Sequence, residues 1–344
     1  MKYVQKGGKR QIDTHRNWEQ VSPLFGLEEY AAQPVDSEDL QSAWLTLKDM
    51  AFASKVLDRS VVRYYQGRKG IEPAGAKGVY ILREPVRIDG GLLRIENDIS
   101  RQRRMDVVAK GVNVGNVEET HIYPMLGGRN ISKWKVRSCE FMIVPHTAKY
   151  KYGIPEEELA EQCPETFMWL DFYHDKLLET RIVNGKFFNK ETNPFYRLDN
   201  VGPYTFAPYK VLWKEQSGKM AAVVVGEYLQ SVPNANTTLF STNKTIVVDS
   251  KVLMLGLDDA EEAYYVCGVI NSRSVAKVID GYAIGTNRGV DVLEYVAVPR
   301  YDATSSLHGE IADLSRDIHE LAKRGDDYSD KESELDQKIV SLFS

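Results

Sequence analysis

The tetrapeptide Asn193-Pro194-Phe195-Tyr196 is the stretch of the chain whose residue types most directly suggest chemistry. An Asn followed by two prolines and an aromatic residue can hold an extruded adenine by stacking and by a hydrogen bond to its exocyclic amine. Here Phe195 stands where the second proline is needed, and a polar stretch, NGKFFNKET, precedes the turn instead of a buried strand. No apolar strand leads into a G-x-G turn and a helix that could hold S-adenosylmethionine. The tetrapeptide is therefore not expected to be a catalytic turn.

Other catalytic arrangements are also incomplete. The six histidines show neither helical pairing nor an H-E-x-x-H motif, and Asp249 and Lys251 lack the intervening Glu of a D-x(n)-E-x-K nuclease site. Cys139, Cys163 and Cys267 form no C-x-x-C pair and have no evident histidine partner, which is typical of reduced, buried cysteines. We therefore predict no catalytic residue, no metal and no bound cofactor, and expect a binding protein and not an enzyme.

Basic residues interleaved with glycines and aromatics indicate what the chain could bind. The net charge is −5, but residues 1–145 carry 23 Lys+Arg against 18 Asp+Glu, whereas residues 146–344 carry 21 against 31. The basic residues of the first half concentrate in three segments, RYYQGRKGIEPAGAKGVYIL, RQRRMDVVAKG and LGGRNISKWKVR. Such clusters are either solvated loop faces or contacts to a polyanion.

The elements that must position these residues predict an α+β fold. A helix is expected over about 37–57, β-rich runs over 60–145, a helix after Pro164, and strands at YKVLW, AAVVVGEYL and TIVVDSKVLMLGL. The last run is continuously apolar, as in a strand buried on both faces. A helix over 259–281, broken near Asn271-Ser272, precedes a short strand at VLEYVAVPRY and a closing helical hairpin.

Three regions follow from this pattern: a lead-in segment at 1–43, a main domain at 44–300 with a possible division into two lobes near 145–165, and a helical hairpin at 301–344. The hairpin carries 11 acidic residues against 5 basic, so it is expected to avoid DNA. It could pack on the main domain or dock a partner, and Ser329 with Glu332 is expected to form a capping box. No apolar run approaches the ~20 residues of a membrane span, so a cytoplasmic location without membrane contact is predicted.

Four segments carry a resemblance to a known family. RKGIEPAGAKGVYIL, HIYPMLGGRNISKWKVRSCEFMIVPHT, NPFYRLDNVGPYTFAPYKVLWKE and DDAEEAYYVCGVINSRSVAKVIDGYA, followed by a helical hairpin, resemble the C-terminal target recognition region of TaqI-like N6-adenine DNA methyltransferases. This kind of region occurs in fused, type IIG restriction-modification enzymes and in phage-exclusion methyltransferases. The resemblance covers roughly residues 44–344, whereas the catalytic domain of that family has no counterpart here. It implies that Pro194 and Phe195 belong to a structural turn of the recognition region.

The resemblance implies a sequence-specific DNA-binding specificity domain or subunit of a restriction-modification-type methyltransferase. Its partners would be double-stranded DNA and a catalytic domain or subunit that holds S-adenosylmethionine. The alternative is a protein-interaction or inhibitor module that has kept the fold but lost DNA affinity. The predicted phosphate-binding residues lie beside glycines or aromatics in matching segments: Lys69, Lys77, Arg129, Lys133, Arg137 and Lys210.

The loop AIGTNRGVD supplies the candidates for base reading. Thr286, Asn287 and Arg288 lie between a predicted helix and strand, flanked by glycines. Arg pairs bidentately with guanine and Asn with adenine in the major groove, so these residue types suit direct readout. The competing interpretation is an ordinary helix-to-strand turn.

Overall fold

The computed structural model describes residues 3–6, 9–12, 31–36, 38–47, 50–102, 110–184, 188–283 and 287–344. The strands are β1 Tyr3–Lys6, β2 Lys9–Ile12, β3 Ala31–Pro34, β4 Trp44–Leu47, β5 Arg68–Lys69, β6 Ile81–Leu82, β7 Val86–Arg87, β8 Leu92–Glu96, β9 Val114–Glu118, β10 Ile122–Leu126, β11 Ile131–Ser132, β12 Lys135–Val136, β13 Glu140–Ile143, β14 Tyr209–Lys214, β15 Ala222–Val225, β16 Val247–Val248 and β17 Val252–Leu257. Together with the helices they confirm the predicted α+β class.

The helices are α1 Ala51–Val56, α2 Lys77–Tyr80, α3 Glu156–Gln162, α4 Pro164–Asp171, α5 His174–Asn184, α6 Tyr228–Ser231, α7 Ala260–Asn271, α8 Arg273–Tyr282, α9 Val292–Tyr295, α10 Ser306–Arg324 and α11 Ser329–Leu342. Pro164 opens α4 as expected, because a missing N–H costs nothing in the first helical turn. The predicted break at Asn271-Ser272 is confirmed, since the Ser272 hydroxyl caps α8 by accepting from the Val275 N–H. No helix among the described residues is long and apolar enough to cross a membrane.

A four-stranded antiparallel sheet in the order β15-β14-β17-β5 separates two hydrophobic cores. Successive side chains of a strand point to opposite faces, and here both faces are apolar. Leu212 of β14 and Met254 of β17 belong to the first core, while their neighbours Trp213 and Leu253 belong to the second. The prediction that the VLML run is buried on both faces is therefore confirmed.

The first core contains the sheet β16-β10-β13-β6 and buried residues of α3, α4 and α5. The second contains buried residues of α7, α8, α10 and α11. The chain passes between the cores several times, so they do not divide at 145–165: Ile154, Leu159 and Cys163 all lie in the first core. The C-terminal hairpin packs on the second core through Ile311 of α10 and Leu335 of α11, which is the first of the two expectations for it.

Three local predictions were wrong. The segment 44–47 is not helical but pairs as β4 with β3, and α1 begins only at Ala51. The expected strand at VLEYVAVPRY contains the short helix α9 instead. Ser329 and Glu332 form no capping box, because the Ser329 hydroxyl donates to Asp327 and the Glu332 carboxylate turns toward the β11–β12 turn.

Candidate nucleic-acid interface

An open groove of about 900 Å³ lies where four distant parts of the chain meet. Its walls are the β11–β12 hairpin, the loop between β14 and β15, helix α8, and the turn between α10 and α11. We call it the basic groove, because it is lined by seven lysine and arginine side chains, Lys133, Lys135, Arg137, Lys214, Lys219, Arg273 and Lys277, against two aspartates, Asp280 and Asp326.

The charges of the basic groove are largely uncompensated. Asp280 is paired with Arg288 and Asp326 with Arg324, so both aspartates are neutralised locally. Five of the lining cations have no carboxylate partner within the described part of the chain: Lys135, Arg137, Lys214, Lys219 and Lys277. Such a concentration of free cations in a concave surface attracts anions.

Lys214 and Arg137 are like charges that repel each other in the basic groove. Burial, and then the nearby positive charge of Arg137, lower the pKa of Lys214 from its ordinary value. Lys214 ends β14, whereas Arg137 follows β12 and is exposed. An anion placed between them would relieve the repulsion, which is the property expected of a preformed phosphate site.

Trp134 fixes the β11–β12 hairpin that carries three of these cations. Its backbone lies in the left-handed region at φ 67°, uncommon for a bulky residue, and its indole is completely buried. The Trp134 N–H donates to the Ala222 carbonyl at 2.9 Å, and its indole Nε1 donates to Glu332 at 2.9 Å. Because the turn residue points inward, its neighbours Lys133 and Lys135 line the basic groove.

Glu332 of α11 binds cations from two walls of the basic groove, the β11–β12 hairpin and helix α8. Its carboxylate accepts hydrogen bonds from Lys133 Nζ at 2.6 Å and Arg273 Nε at 3.3 Å, besides Trp134. Burial alone would raise the pKa of Glu332, but the hydrogen bonds from Lys133 and Trp134 and the charge of Lys133 bring it below its ordinary value. The hairpin was expected to avoid DNA, yet the end of α10 and the α10–α11 turn border the basic groove at Ala322, Gly325, Asp326 and Tyr328.

A second set of predicted residues lies on what we call the paired face, where each cation is held by a carboxylate. Lys69 contacts Glu215 at 2.7 Å, Lys77 contacts Asp249 at 2.5 Å, and Arg129 binds Glu140. Glu215 directly follows Lys214 of the basic groove, and its N–H donates to the Lys251 carbonyl. The paired face and the basic groove are therefore neighbouring parts of one surface.

The structure thus brings Lys133 and Arg137 together in the basic groove and Lys69, Lys77 and Arg129 on the paired face. Lys210 is a correction: only 1% of it is exposed, and its ammonium donates to the Ala207 carbonyl at 2.6 Å and to Thr245 Oγ1 at 3.1 Å. Burial lowers the pKa of Lys210 to about 7. Its side chain reaches no surface and cannot contact a phosphate.

The predicted base-reading loop is only partly described, and Arg288 is a second correction. Thr286 lies outside the described residues, and Asn287 is exposed and forms a β-bridge with Gln216. Arg288 is 2% exposed, and its guanidinium donates to Asp280 at 2.6 Å and to the Gly218 carbonyl at 3.2 Å. With its donors already engaged, it cannot pair with a base edge in this conformation.

Sequence reasoning missed Lys214, Lys219 and Lys277. The first two flank the glycine of KEQSGKM, a pattern like that of the selected clusters, but they fall in the acidic half of the chain. Lys277 lies on an amphipathic helix, where an exposed lysine carries no signal of its own. Only the tertiary arrangement places the three with Arg137.

The tetrapeptide at 193–196 is a buried turn, as predicted. Phe195 and Tyr196 lie in the first core, the Arg197 N–H donates to the Pro194 carbonyl, and the Tyr196 hydroxyl donates to the Ile154 carbonyl at 2.8 Å. The aromatic side chain that would have to stack on an extruded adenine is thus enclosed by protein.

Cys267 and His319 form a pair that sequence spacing did not reveal, at 3.9 Å from Sγ to Nε2. Burial raises the pKa of the Cys267 thiol and lowers the pKa of His319 to about 4. His319 Nε2 accepts from the Val224 N–H and Nδ1 bonds the Ser315 carbonyl, so both ring nitrogens serve the core. The pair is therefore structural. No cluster of metal-ligating side chains occurs among the residues described.

No protein-family model and no curated protein matches the chain. Among solved structures, it is similar to the Type IIL restriction-modification enzyme MmeI, whose structure is in complex with DNA. The sequences are 10% identical, the TM-score is 0.43, and the match covers 82% of this chain and 33% of that one. This chain thus spans about a third of the length of that enzyme.

Proposed function

We propose that this chain is a DNA-binding specificity domain or subunit of a restriction-modification-type N6-adenine DNA methyltransferase and that it catalyses no reaction by itself. Its proposed ligand is double-stranded DNA, whose phosphates lie along the basic groove. The observation that carries the proposal is the convergence of Lys135, Arg137 and Lys214 without carboxylate partners. The resemblance of the four sequence segments supplies the family.

The two parts of the surface would contribute differently. Five cations of the basic groove have no carboxylate partner among the described residues, so they can neutralise phosphates and release counterions at once. Cations of the paired face must first be drawn away from Glu215, Asp249 or Glu140, so each contributes less net affinity. Phosphate contacts therefore centre on the basic groove, and Lys69, Lys77 and Arg129 act as secondary contacts at its border.

Sequence readout requires side chains that reach base edges. Asn287 is the predicted reader that is both described and exposed, and an Asn amide can bond the N6 and N7 atoms of adenine together. We keep it as the proposed base contact. Asn287→Ala should cost about 1–3 kcal/mol at a single base position.

A salt titration of duplex binding tests the phosphate role. The variant Lys135→Gln/Arg137→Gln/Lys214→Gln should reduce the slope of log K against log salt by about 3, because each phosphate contact contributes about 0.9. At 0.1 M salt the expected loss of affinity is on the order of 10²- to 10³-fold. A control with the same charge change is Lys176→Gln/Lys331→Gln/Lys338→Gln, whose lysines line no part of the groove.

The same titration separates the proposal from its alternative. A protein-interaction or inhibitor module would show no salt-dependent binding to duplex DNA in the wild-type chain. Equal slopes for the two triple variants would mean that binding is spread over the surface and is not centred on the basic groove.

The catalytic partner is the second part of the proposal. S-adenosylmethionine would be held by a separate catalytic domain or subunit with G-x-G and Asn-Pro-Pro-Tyr motifs, while this chain determines where on the DNA that domain acts. Co-purification with such a chain would support this division of labour.

A further inference from the structure

Arg288 connects three segments that surround the basic groove. Its guanidinium donates to the carbonyls of Ser217 and Gly218 and, through Nε and Nη2, to the carboxylate of Asp280 on α8 at 3.0 and 2.6 Å. Its backbone N–H donates to the Glu215 carbonyl at 2.8 Å. A single buried side chain therefore holds the loop that joins β14 to β15.

Asp280 completes this arrangement from the other side. Its carboxylate also accepts a hydrogen bond from the N–H of Met220 at 2.8 Å. The Arg288–Asp280 ion pair therefore bonds the loop both in its middle and at its C-terminal end. Between these points, the added Cβ of a side chain at Gly218 would meet open space, and Lys219 is exposed. Within the loop the Ser217 hydroxyl donates to the Lys219 carbonyl, and Gln216 forms a β-bridge with Asn287. Arg288 and Asp280 add the side-chain hydrogen bonds that anchor the loop to α8.

We propose that Arg288 is a positioning residue: it holds the 215–220 loop so that Lys219 faces the basic groove, and it supports DNA binding without touching DNA. This inference rests on the proposed function. It assigns to Arg288 the opposite of a base-reading role, because its variants should weaken binding to all sequences alike.

The chemistry of the site requires arginine in particular. A guanidinium presents five N–H donors in a fixed plane and can serve two carbonyls and a carboxylate together. A lysine ammonium keeps the charge opposite Asp280 but offers a single nitrogen. Arg288→Lys should therefore preserve the buried ion pair and the fold while releasing the Ser217 and Gly218 carbonyls.

Limited trypsin digestion tests the loop without DNA. Release of the loop should raise the rate of cleavage after Lys219 by at least about 10-fold in Arg288→Lys, since a protease needs a locally opened chain. Lys277→Gln, which changes the groove but not the loop, should be cleaved at the wild-type rate. A wild-type rate in Arg288→Lys would overturn the proposal.

A double-mutant cycle tests the connection to DNA. Lys219→Gln alone should weaken duplex binding about 8-fold at 0.1 M salt, the contribution of one phosphate contact. Arg288→Lys should weaken it at least as much, and adding Lys219→Gln should then cost less than 2-fold. Adding Lys277→Gln should still reduce affinity by about 8-fold, because α8 is also held in place by its buried residues Val275, Val278 and Ile279.

The outcomes distinguish this inference from the proposed function. If the wild-type chain does not bind DNA, the proposed function fails and the DNA role of Arg288 fails with it, while the digestion still decides whether Arg288 holds the loop. If the wild-type chain binds DNA and the effects of Arg288→Lys and Lys219→Gln multiply fully, Arg288 does not act through Lys219 and the inference is wrong. If only one DNA sequence loses affinity in Arg288→Lys, the residue reads a base instead.

Discussion

Replacing Glu332 by glutamine should change stability and DNA affinity in opposite directions. The amide keeps an acceptor for the Trp134 indole but loses the charge that holds Lys133 and Arg273. Loss of a buried charge-assisted contact should lower the free energy of unfolding by about 2 kcal/mol. If one of the two released cations reaches a phosphate, affinity should rise about 8-fold at 0.1 M salt, and the salt slope should steepen by about 0.9.

The assay combines urea unfolding with fluorescence anisotropy of a labelled duplex between 0.05 and 0.3 M salt, concentrations chosen to span about a sixfold change. Glu334→Gln is the matched control, because it removes the same charge from an exposed position of the same helix. Beyond a screened, long-range effect, the control should leave both measurements unchanged.

Because stability is expected to fall while DNA affinity rises, the experiment separates release of the groove cations from general loss of structure. A variant that is merely less well folded would lose affinity as it loses stability. Weaker or unchanged DNA binding by Glu332→Gln, alongside unchanged binding by Glu334→Gln, would refute the idea that Glu332 restrains two groove cations.

Three further predictions concern buried groups and the partner. Lys210→Met should leave duplex affinity within 2-fold of wild type. The folded pKa of Lys210 lies near 7, below its unfolded value, so the wild-type chain gains stability as pH rises from 7 to 9. The free energy of unfolding of the variant, measured with urea, should therefore fall by about 2 kcal/mol relative to wild type over this range. His319 has a folded pKa of about 4 against 6.5 in the unfolded chain, so the free energy of unfolding should fall by about 3 kcal/mol as pH falls from 6.5 to 4. The variant His319→Gln keeps an acceptor for the Val224 N–H and should not show this loss. Incubation of the chain with S-adenosylmethionine and duplex DNA should transfer no methyl group to adenine, measured with a radiolabelled methyl donor, until a catalytic chain is added.

The parts of the fold that were predictable have strong local signals. The apolar run of β17 identified a strand buried on both faces, and the Ser272 cap identified the break between α7 and α8. Residues 44–47 failed because Trp44 and Leu47 are three apart, as on a helix, while their burial alternates exposed and buried as in a strand. Four residues are too few for the sequence to separate the two periods.

The candidate site was predictable only where cations cluster along the chain. Lys133 and Arg137 share one segment and were found, whereas Lys219 and Lys277 meet them only through the tertiary fold. Lys210 was assigned to DNA because it lies beside an aromatic residue in a matching segment, and Arg288 because of its residue type in a loop flanked by glycines. Burial, however, decides what such a residue can contact. The sequence did indicate the burial of Lys210. It lies two residues before Leu212 in an apolar strand, so both side chains point to the same face of the sheet and toward the same core.

The negative charge of the C-terminal hairpin restricts the side from which DNA can approach the proposed interface. Glu332 and the α10–α11 turn sit at the border of the basic groove, whereas other acidic residues of the hairpin pair on its own surface, as Asp317 does with Lys331 and Glu310 with Lys338. A duplex approaching from the hairpin side would meet a net negative charge, and one approaching the β11–β12 side would meet free cations. Such asymmetry steers a polyanion into one docking direction. An acidic total charge and a DNA-binding role are therefore compatible, because the distribution of the charges, more than their sum, determines what approaches the groove.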